Sequence, residues 1–294
     1  TEGDPGELAS TLHSAPVVAA TTASCGSRVM REQAFDVAVV DEASQLTEPS
    51  ALAALNRAER FVLVGDHEQL PPVVQAADPG DIDVSGGSAD KNPLSRSLFE
   101  RLIDRYPEAS VMLTEQYRMS QRIQSFASAE FYDGALRPAS GDVAGQSVGD
   151  LVDPAALPAE LRDGVAVVDP DGERVGNTNP VEADRVAEIV ESYIAAGVDP
   201  EAIGVIAPFR AQVAEISRRV EVTVDTVDRF QGSSKEVIVL SFVATGELEG
   251  PLFEDHRRIN VALTRAKKGL VLVGDRAALS SEPFYERMLG WADR

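Results

Sequence analysis

The run Phe35-Asp36-Val37-Ala38-Val39-Val40 is largely apolar and ends in a carboxylate pair, Asp41-Glu42, followed by Ala43-Ser44-Gln45. A buried strand that delivers two acids to its C-terminal edge can hold Mg²⁺ with one and activate a water with the other. This assigns Asp41 to the metal and Glu42 to the water. The same residues also suit a solvated strand end or a helix N-cap, and the pair alone leaves those readings open. A second segment, Phe61 to Pro72, puts Gly65-Asp66 directly after the apolar Phe61-Val62-Leu63-Val64. Its polar groups would emerge at the same carboxyl edge of a parallel sheet. Gln69 could there sense a γ-phosphate, or be a solvated loop residue, and His67 reads as a loop histidine because no partner has metal-ligand spacing.

These acids need strands to position them, and the chain supplies an alternation of short apolar strands and amphipathic helices that predicts a parallel sheet covered on both faces. The strands are expected at Val17 to Ala20, Val37 to Val40, Arg60 to Val64, Gly164 to Val168, Ile203 to Ala207, Val222 to Val227, Val237 to Phe242 and Leu270 to Val273. The spacing predicts helices over Leu94 to Tyr106 and Glu182 to Ala196. Asn179-Pro180-Val181-Glu182 reads as an N-cap, a first-turn proline and a capping-box acid. Asp78 to Asp90 is expected to be a surface loop, and the Pro-, Gly- and Asp-rich Arg137 to Asp163 to lie between two sets of strands. The domain boundary is placed near Leu136.

Composition narrows the setting. The 294 residues, 44% of them hydrophobic, have room for two domains with real cores. One cysteine, Cys25, excludes an internal disulfide framework, and no His/Cys cluster has zinc spacing. The first residues lack a signal-peptide pattern, so a cytoplasmic protein is expected. Forty-eight acids against 27 bases give a net charge of −21, and the only lysines are Lys91, Lys235, Lys267 and Lys268. Taken alone that charge would repel nucleic acid. An acidic, lysine-poor surface over an ordinary core reads instead as adaptation to a high-salt cytoplasm, where repulsion is screened.

Further polar segments follow the two already described: Gln116-Tyr117-Arg118-Met119, Ala207-Pro208-Phe209-Arg210-Ala211-Gln212, Val227-Asp228-Arg229-Phe230-Gln231-Gly232 and Asn260-Val261-Ala262-Leu263-Thr264-Arg265-Ala266. In this order they resemble the motifs of superfamily 1 helicases, over roughly Val17 to Asp275. The nearest branch holds the nonsense-mediated-decay helicases and the replication-factor helicase-nucleases. The resemblance implies an α/β fold of two RecA-like NTPase domains with parallel sheets, residues 1–136 and 137–294, the first truncated. It implies ATP and Mg²⁺ as cofactors, single-stranded nucleic acid as partner, with DNA favoured over RNA, and 5′ to 3′ movement. A non-catalytic strand-binding or scaffold protein with this fold is the alternative.

Residue by residue, the resemblance implies Glu42, Gln69, Arg118 and Arg265 for catalysis, the two arginines stabilising the γ-phosphate's transition state. It implies Asp41, Gly65, Asp66, Gln231, Gly232 and Glu236 at the nucleotide. Thr21, Thr22, Pro208, Arg210 and Asp228 would meet the nucleic acid. Within Arg257 to Lys268 a helix would put Arg258 and Arg265 on one face. Relatives usually carry an acid where Ser234 stands and often a hydroxyl residue where Ala207 stands, which bears on sugar selectivity and on one phosphate contact. Tyr117, Phe209 and Phe230 could stack bases but are expected in the core. The chain contains no Gly-Lys-Thr or Gly-Lys-Ser to cradle β- and γ-phosphates. The expectation is therefore a C-terminal portion of a longer helicase, inactive alone, whose upstream part carries that loop and whose first domain is the less stable.

Overall fold

The computed structural model describes residues 5–73 and 96–294. The expected loop Asp78 to Asp90 and the start of the helix expected from Leu94 lie outside the described residues. The chain divides into two compact units, Thr1–Val111 and Met112–Arg294. The break thus falls upstream of Leu136. Residues 112–136 go with the second unit because Ser120 N–H donates to Lys267 O at 2.9 Å and Arg118 to Thr264 O at 3.0 Å.

In the first unit, strands β1 (Phe35–Val40) and β2 (Ala58–Leu63) pair in parallel, with Phe35 opposite Ala58 and Val40 opposite Leu63. The helix Glu48–Leu55 connects them, and its residue Leu55 joins Val40 and Ala43 in a small core. Val37, Val39, Phe61 and Val62 remain exposed. Val17 to Ala20 forms no strand: these residues find no ladder partner among the described residues, and Val17 is exposed. A short apolar run has no strand stability without a neighbour to pair with. The helix at Leu98–Arg105 is capped by Ser97, whose Oγ accepts from Glu100 N–H at 3.1 Å.

In the second unit, β3 (Glu115–Gln116) pairs with β4 (Arg137–Pro138). A five-stranded, all-parallel sheet follows, built from β5 (Val165–Val168), β6 (Ile203–Ala207), β7 (Thr223–Thr226), β8 (Lys235–Ser241) and β9 (Ala266–Val273), in the order β5-β9-β8-β6-β7. Consecutive residues of β6, β8 and β9 are buried, as both faces of a covered parallel sheet require. Val205, Val239 and Val271 meet Val186, Ile189 and Tyr193 of the helix Pro180–Ala196 on one face. The helices Gln121–Phe131 and Arg257–Leu263 pack against β9, and Pro283–Ala292 against β5. The stretch Arg137 to Asp163 is not a bare linker: it folds into short helical turns whose Val148, Leu157 and Leu161 enter the same core. Among the described residues no helix is long and apolar enough to cross a membrane.

Two local expectations are corrected. Asn179 does cap its helix, its Oδ1 accepting from Glu182 N–H at 3.0 Å, but the Glu182 carboxylate does not close a capping box. It turns inward to Ser241 and Val243, and the Asn179 N–H donates to Gln212 Oε1 at 2.9 Å. The helix at Arg257 stops at Leu263, and Arg265 lies beyond it, so Arg258 and Arg265 share no helical face. Thr264 ends the helix by bonding its Oγ1 back to Asn260 O at 2.8 Å, and Ala266 then pairs with Lys235 of β8.

Candidate functional site

At the carboxyl edge of the first sheet the two acid-bearing segments lock together. Val64 N–H donates to Val40 O and Ala43 N–H to Val64 O, both at 2.8 Å, so the parallel ladder runs one step past each strand. Asp66 N–H then donates to Ser44 Oγ at 3.2 Å. A Cβ at Gly65 would stand 2.9 Å from Ser44 N, so only glycine lets the turns approach this closely. Ser44 was given no role by the sequence, although it lies inside the first segment.

This edge presents Asp41 and Glu42 to solvent. Glu42 is left-handed, at φ 52° and ψ 36°, the kind of backbone conformation that concentrates where a side chain must be aimed. Its N–H donates to Asp41 Oδ1 at 3.0 Å, and Gln45 Nε2 donates to its Oε2 at 2.6 Å. Neither contact caps a helix through the acid side chain. Among the described residues no group of three acids, histidines or cysteines could hold a metal. Mg²⁺ in phosphate sites keeps waters and takes one or two carboxylates together with the phosphates, so exposed Asp41 fits the demand by donor chemistry. Asp66 and Gln69 are spent on each other: Asp66 Oδ1 accepts from Glu68 N–H at 3.0 Å and Oδ2 from Gln69 Nε2 at 2.8 Å. They shape the loop. Thr21 and Thr22 sit at a short helix rather than a strand end, with Thr21 Oγ1 accepting from Ser24 N–H at 3.3 Å.

In the second unit Gln116 builds the turn that carries Tyr117 and Arg118. Its Oε1 accepts from Arg118 N–H at 2.8 Å and Met119 N–H at 2.7 Å, and its Nε2 donates to Met119 O at 2.7 Å. Tyr117 is 75% exposed, contrary to its expected core position, whereas Phe230 is buried and Phe209 half-buried. Arg118 and Arg265 meet at Thr264, the first donating to its carbonyl and the second to its Oγ1 at 3.2 Å. Arg265 is only 3% exposed, and it also donates to Val261 O at 3.1 Å and Ser233 O at 3.3 Å. A buried guanidinium needs such acceptors.

Tyr117 and Arg118 line a cleft of about 730 Å³ with Gln146, Glu236, Lys267 and Lys268. Glu236 lies between the lysines, 2.7 Å from Lys267 Nζ and 3.2 Å from Lys268 Nζ. Partial burial opposes its charge, and the bonds and charges of the two lysines overcome this, leaving the carboxyl below its ordinary range. The lysines have no role among the expectations drawn from the sequence, because a basic pair usually marks a solvated surface. Gln231 and Gly232 sit on the preceding turn, where Gln231 Nε2 is buried without a partner and Gly232 adopts φ +82°.

Of the residues expected to meet nucleic acid in this unit, Arg210 and Asp228 are exposed, but Pro208 is buried. It follows β6 directly, between the buried Ala207 and the half-buried Phe209. Asp228 stands 3.7 Å from Arg258 Nη2. Phe209 lies beneath the Arg174 guanidinium, 5.0 Å from the ring centroid, which is cation–π range.

The sequence matches two models described as AAA domain, over residues 5–77 and 94–277. It is 35% identical to an uncharacterized ATP-dependent helicase, MJ0104, of Methanocaldococcus jannaschii, over 96% of this chain and 42% of that protein. It is 37% identical to the DNA replication ATP-dependent helicase/nuclease DNA2 of Xenopus laevis, over 89% of this chain and 27% of that protein. With JHS1 of Arabidopsis thaliana, a DNA replication ATP-dependent helicase/nuclease, it shares 36% identity over 95% of this chain and 22% of that one. The chain thus spans less than half the length of these relatives.

Proposed function

The chain belongs to the AAA-domain family, in its superfamily 1 helicase branch, and from that premise we propose that it is part of an ATP-dependent motor that moves 5′ to 3′ along single-stranded nucleic acid, DNA in preference to RNA. The observation that carries this reading is the edge of the first sheet, where Ser44 and Gly65 lock the Asp41–Glu42 turn to the loop bearing Asp66 and Gln69. Asp41 would hold Mg²⁺, which supplies charge neutralisation on the phosphates, and Glu42 would take a proton from the attacking water. Gln69, its Nε2 held by Asp66, would orient that water through its Oε1. Arg118 and Arg265 would add positive charge for the transferring phosphoryl group, with Gly65, Gln231, Gly232 and Glu236 near the nucleotide. Arg210 would meet the strand, along with Asp228, Thr21 and Thr22. The acidic, lysine-poor surface fits a cytoplasm of high salt.

Hydrolysis in this scheme also needs a Gly-Lys-Thr or Gly-Lys-Ser loop, which the 294 residues do not contain. ATP hydrolysis stimulated by single-stranded DNA is to be measured on this chain alone and on the chain joined to an upstream segment bearing such a loop. The chain alone is expected to be silent and the joined protein active. Glu42→Gln should then lower turnover by about 10²–10⁴-fold while nucleotide binding persists. Turnover by the chain alone would refute the need for the loop, and full activity of Glu42→Gln would refute the role of Glu42. Strand binding without hydrolysis in either form would favour a non-catalytic scaffold.

A further inference from the structure

Four fully buried polar residues of the second unit close a ring that the roles above leave unused. Glu182 Oε1 accepts from Ser241 Oγ–H at 2.5 Å, and Ser241 Oγ accepts from Gln212 Nε2 at 3.2 Å. Gln212 exchanges two bonds with the Asn179 backbone, Oε1 accepting its N–H at 2.9 Å and Nε2 donating to its carbonyl at 3.2 Å. Asn179 Oδ1 accepts the Glu182 N–H at 3.0 Å and closes the ring. All four residues are 0% exposed. Buried polar groups are costly unless paired, and a cooperative ring of this kind fixes one arrangement of the elements it joins.

Those elements are the start of the helix Pro180–Ala196, the start of the helix Arg210–Ser217 and the end of β8. Glu182 Oε1 also accepts from Val243 N–H at 2.9 Å. Val243 has φ +53°, a conformation a β-branched residue adopts only when its surroundings impose it. From Val243 the chain turns back over Phe209. A Cβ at Gly250 would lie 2.4 Å from the Phe209 ring, and the Arg174 guanidinium lies over that ring. Arg174 in turn donates its N–H to Thr245 Oγ1 and its Nη1 to Glu249 O, both at 3.0 Å. Beside the covered Phe209, Arg210 stands exposed.

We infer that Asn179, Glu182, Gln212 and Ser241 are positioning residues, which set Phe209 and Arg210, at the start of the helix Arg210–Ser217, and the turn after β8 in the arrangement that engages single-stranded nucleic acid. Gln212 therefore faces inward to hold the start of that helix, and Arg210 faces outward to meet phosphate. The ring's engagement with the strand rests on the function proposed above. Its positioning of the two segments does not.

The test uses the 294-residue chain with Gln212→Ala, Ser241→Ala and Glu182→Gln, thermal unfolding confirming that each folds. Glu182→Gln keeps an oxygen where Oε1 accepts its two bonds. Binding of fluorescein-labelled oligothymidylate is read by anisotropy, and backbone hydrogen exchange is read at residues 209–212 and 242–246. Gln212→Ala should weaken binding about tenfold and speed exchange at both segments, Ser241→Ala should do so to a lesser degree, and Glu182→Gln should bind within about twofold of the parent without faster exchange. A merely structural role would speed exchange throughout the second unit, whereas lost positioning speeds it at these two segments. Parent-like exchange in Gln212→Ala would overturn the inference, as would loosening of both segments with unchanged binding. If the parent chain does not bind oligothymidylate, the strand reading fails by itself, and the exchange arm still decides whether the ring positions the two segments.

Discussion

Replacing Glu182 by Gln should stabilise the second unit, and the gain should appear only as the pH rises. Burial pushes the Glu182 carboxyl up from its ordinary 4.5 to about 7, against the opposing bonds from Ser241 and the backbone of Val243, with Asp169 adding repulsion. A carboxyl with a raised folded pKa binds its proton more tightly in the native state. Between about 4.5 and about 7 the unfolded chain gives up this proton while the folded carboxyl keeps it, so stability falls across that window and the full loss stands above it. The gap is worth about 3 kcal/mol. Glutamine carries no charge at any pH and retains one oxygen to accept from Ser241 and Val243. At pH 5 the variant and parent should differ by less than about 1 kcal/mol, and at pH 8 the variant should lead by about 3 kcal/mol. Urea unfolding read by the fluorescence of Trp291 isolates the effect, because this single tryptophan is buried in the same unit. At a slope of about 2 kcal/mol per molar the pH 8 midpoint should rise by about 1.5 M. A difference equal at both pH values, or none at pH 8, would refute the claim that burial raises the Glu182 carboxyl.

Two further changes probe the proposed sites. Gly65→Ala would force a methyl against Ser44 N and should cost about 1–3 kcal/mol, loosening the Asp41–Gln45 turn, which amide exchange at residues 41–45 would show. Arg265→Lys would replace a fork that reaches Val261 O, Ser233 O and Thr264 Oγ1 with a single point charge, leaving buried acceptors unmet. A loss of about 3 kcal/mol is expected, or roughly 6–12 °C in thermal midpoint read at Trp291.

Much of the architecture was legible because apolar runs bounded by turn residues admit few alternatives. β1, β2 and the five strands of the second sheet appear within a few residues of their expected places. The failures occur where a local pattern had to be completed by a distant partner. Val17 to Ala20 has strand composition but no ladder among the described residues. The residues from Arg257 have helix composition, yet β8 recruits Ala266 onward into the sheet. Glu182 has the spacing of a capping-box acid, and its carboxylate is drawn instead to Ser241, 59 residues away in sequence.

The sequence by itself singled out the candidates for chemistry: the carboxylates Asp41 and Glu42 after an apolar strand, Gly65 after the next, and Arg118 and Arg265 within recognisable segments. Residue type and spacing suffice there, because a strand end has only one edge at which to present its side chains. Tertiary structure alone decided how those groups are held. It spent Gln69 on Asp66, enclosed Arg265 among carbonyl oxygens, hid Pro208, exposed Tyr117 and joined Glu182, Ser241, Gln212 and Asn179 in a buried ring. Each of these outcomes depends on which polar group reaches a partner before it is cut off from water, and that is a property of packed elements rather than of neighbours in the chain.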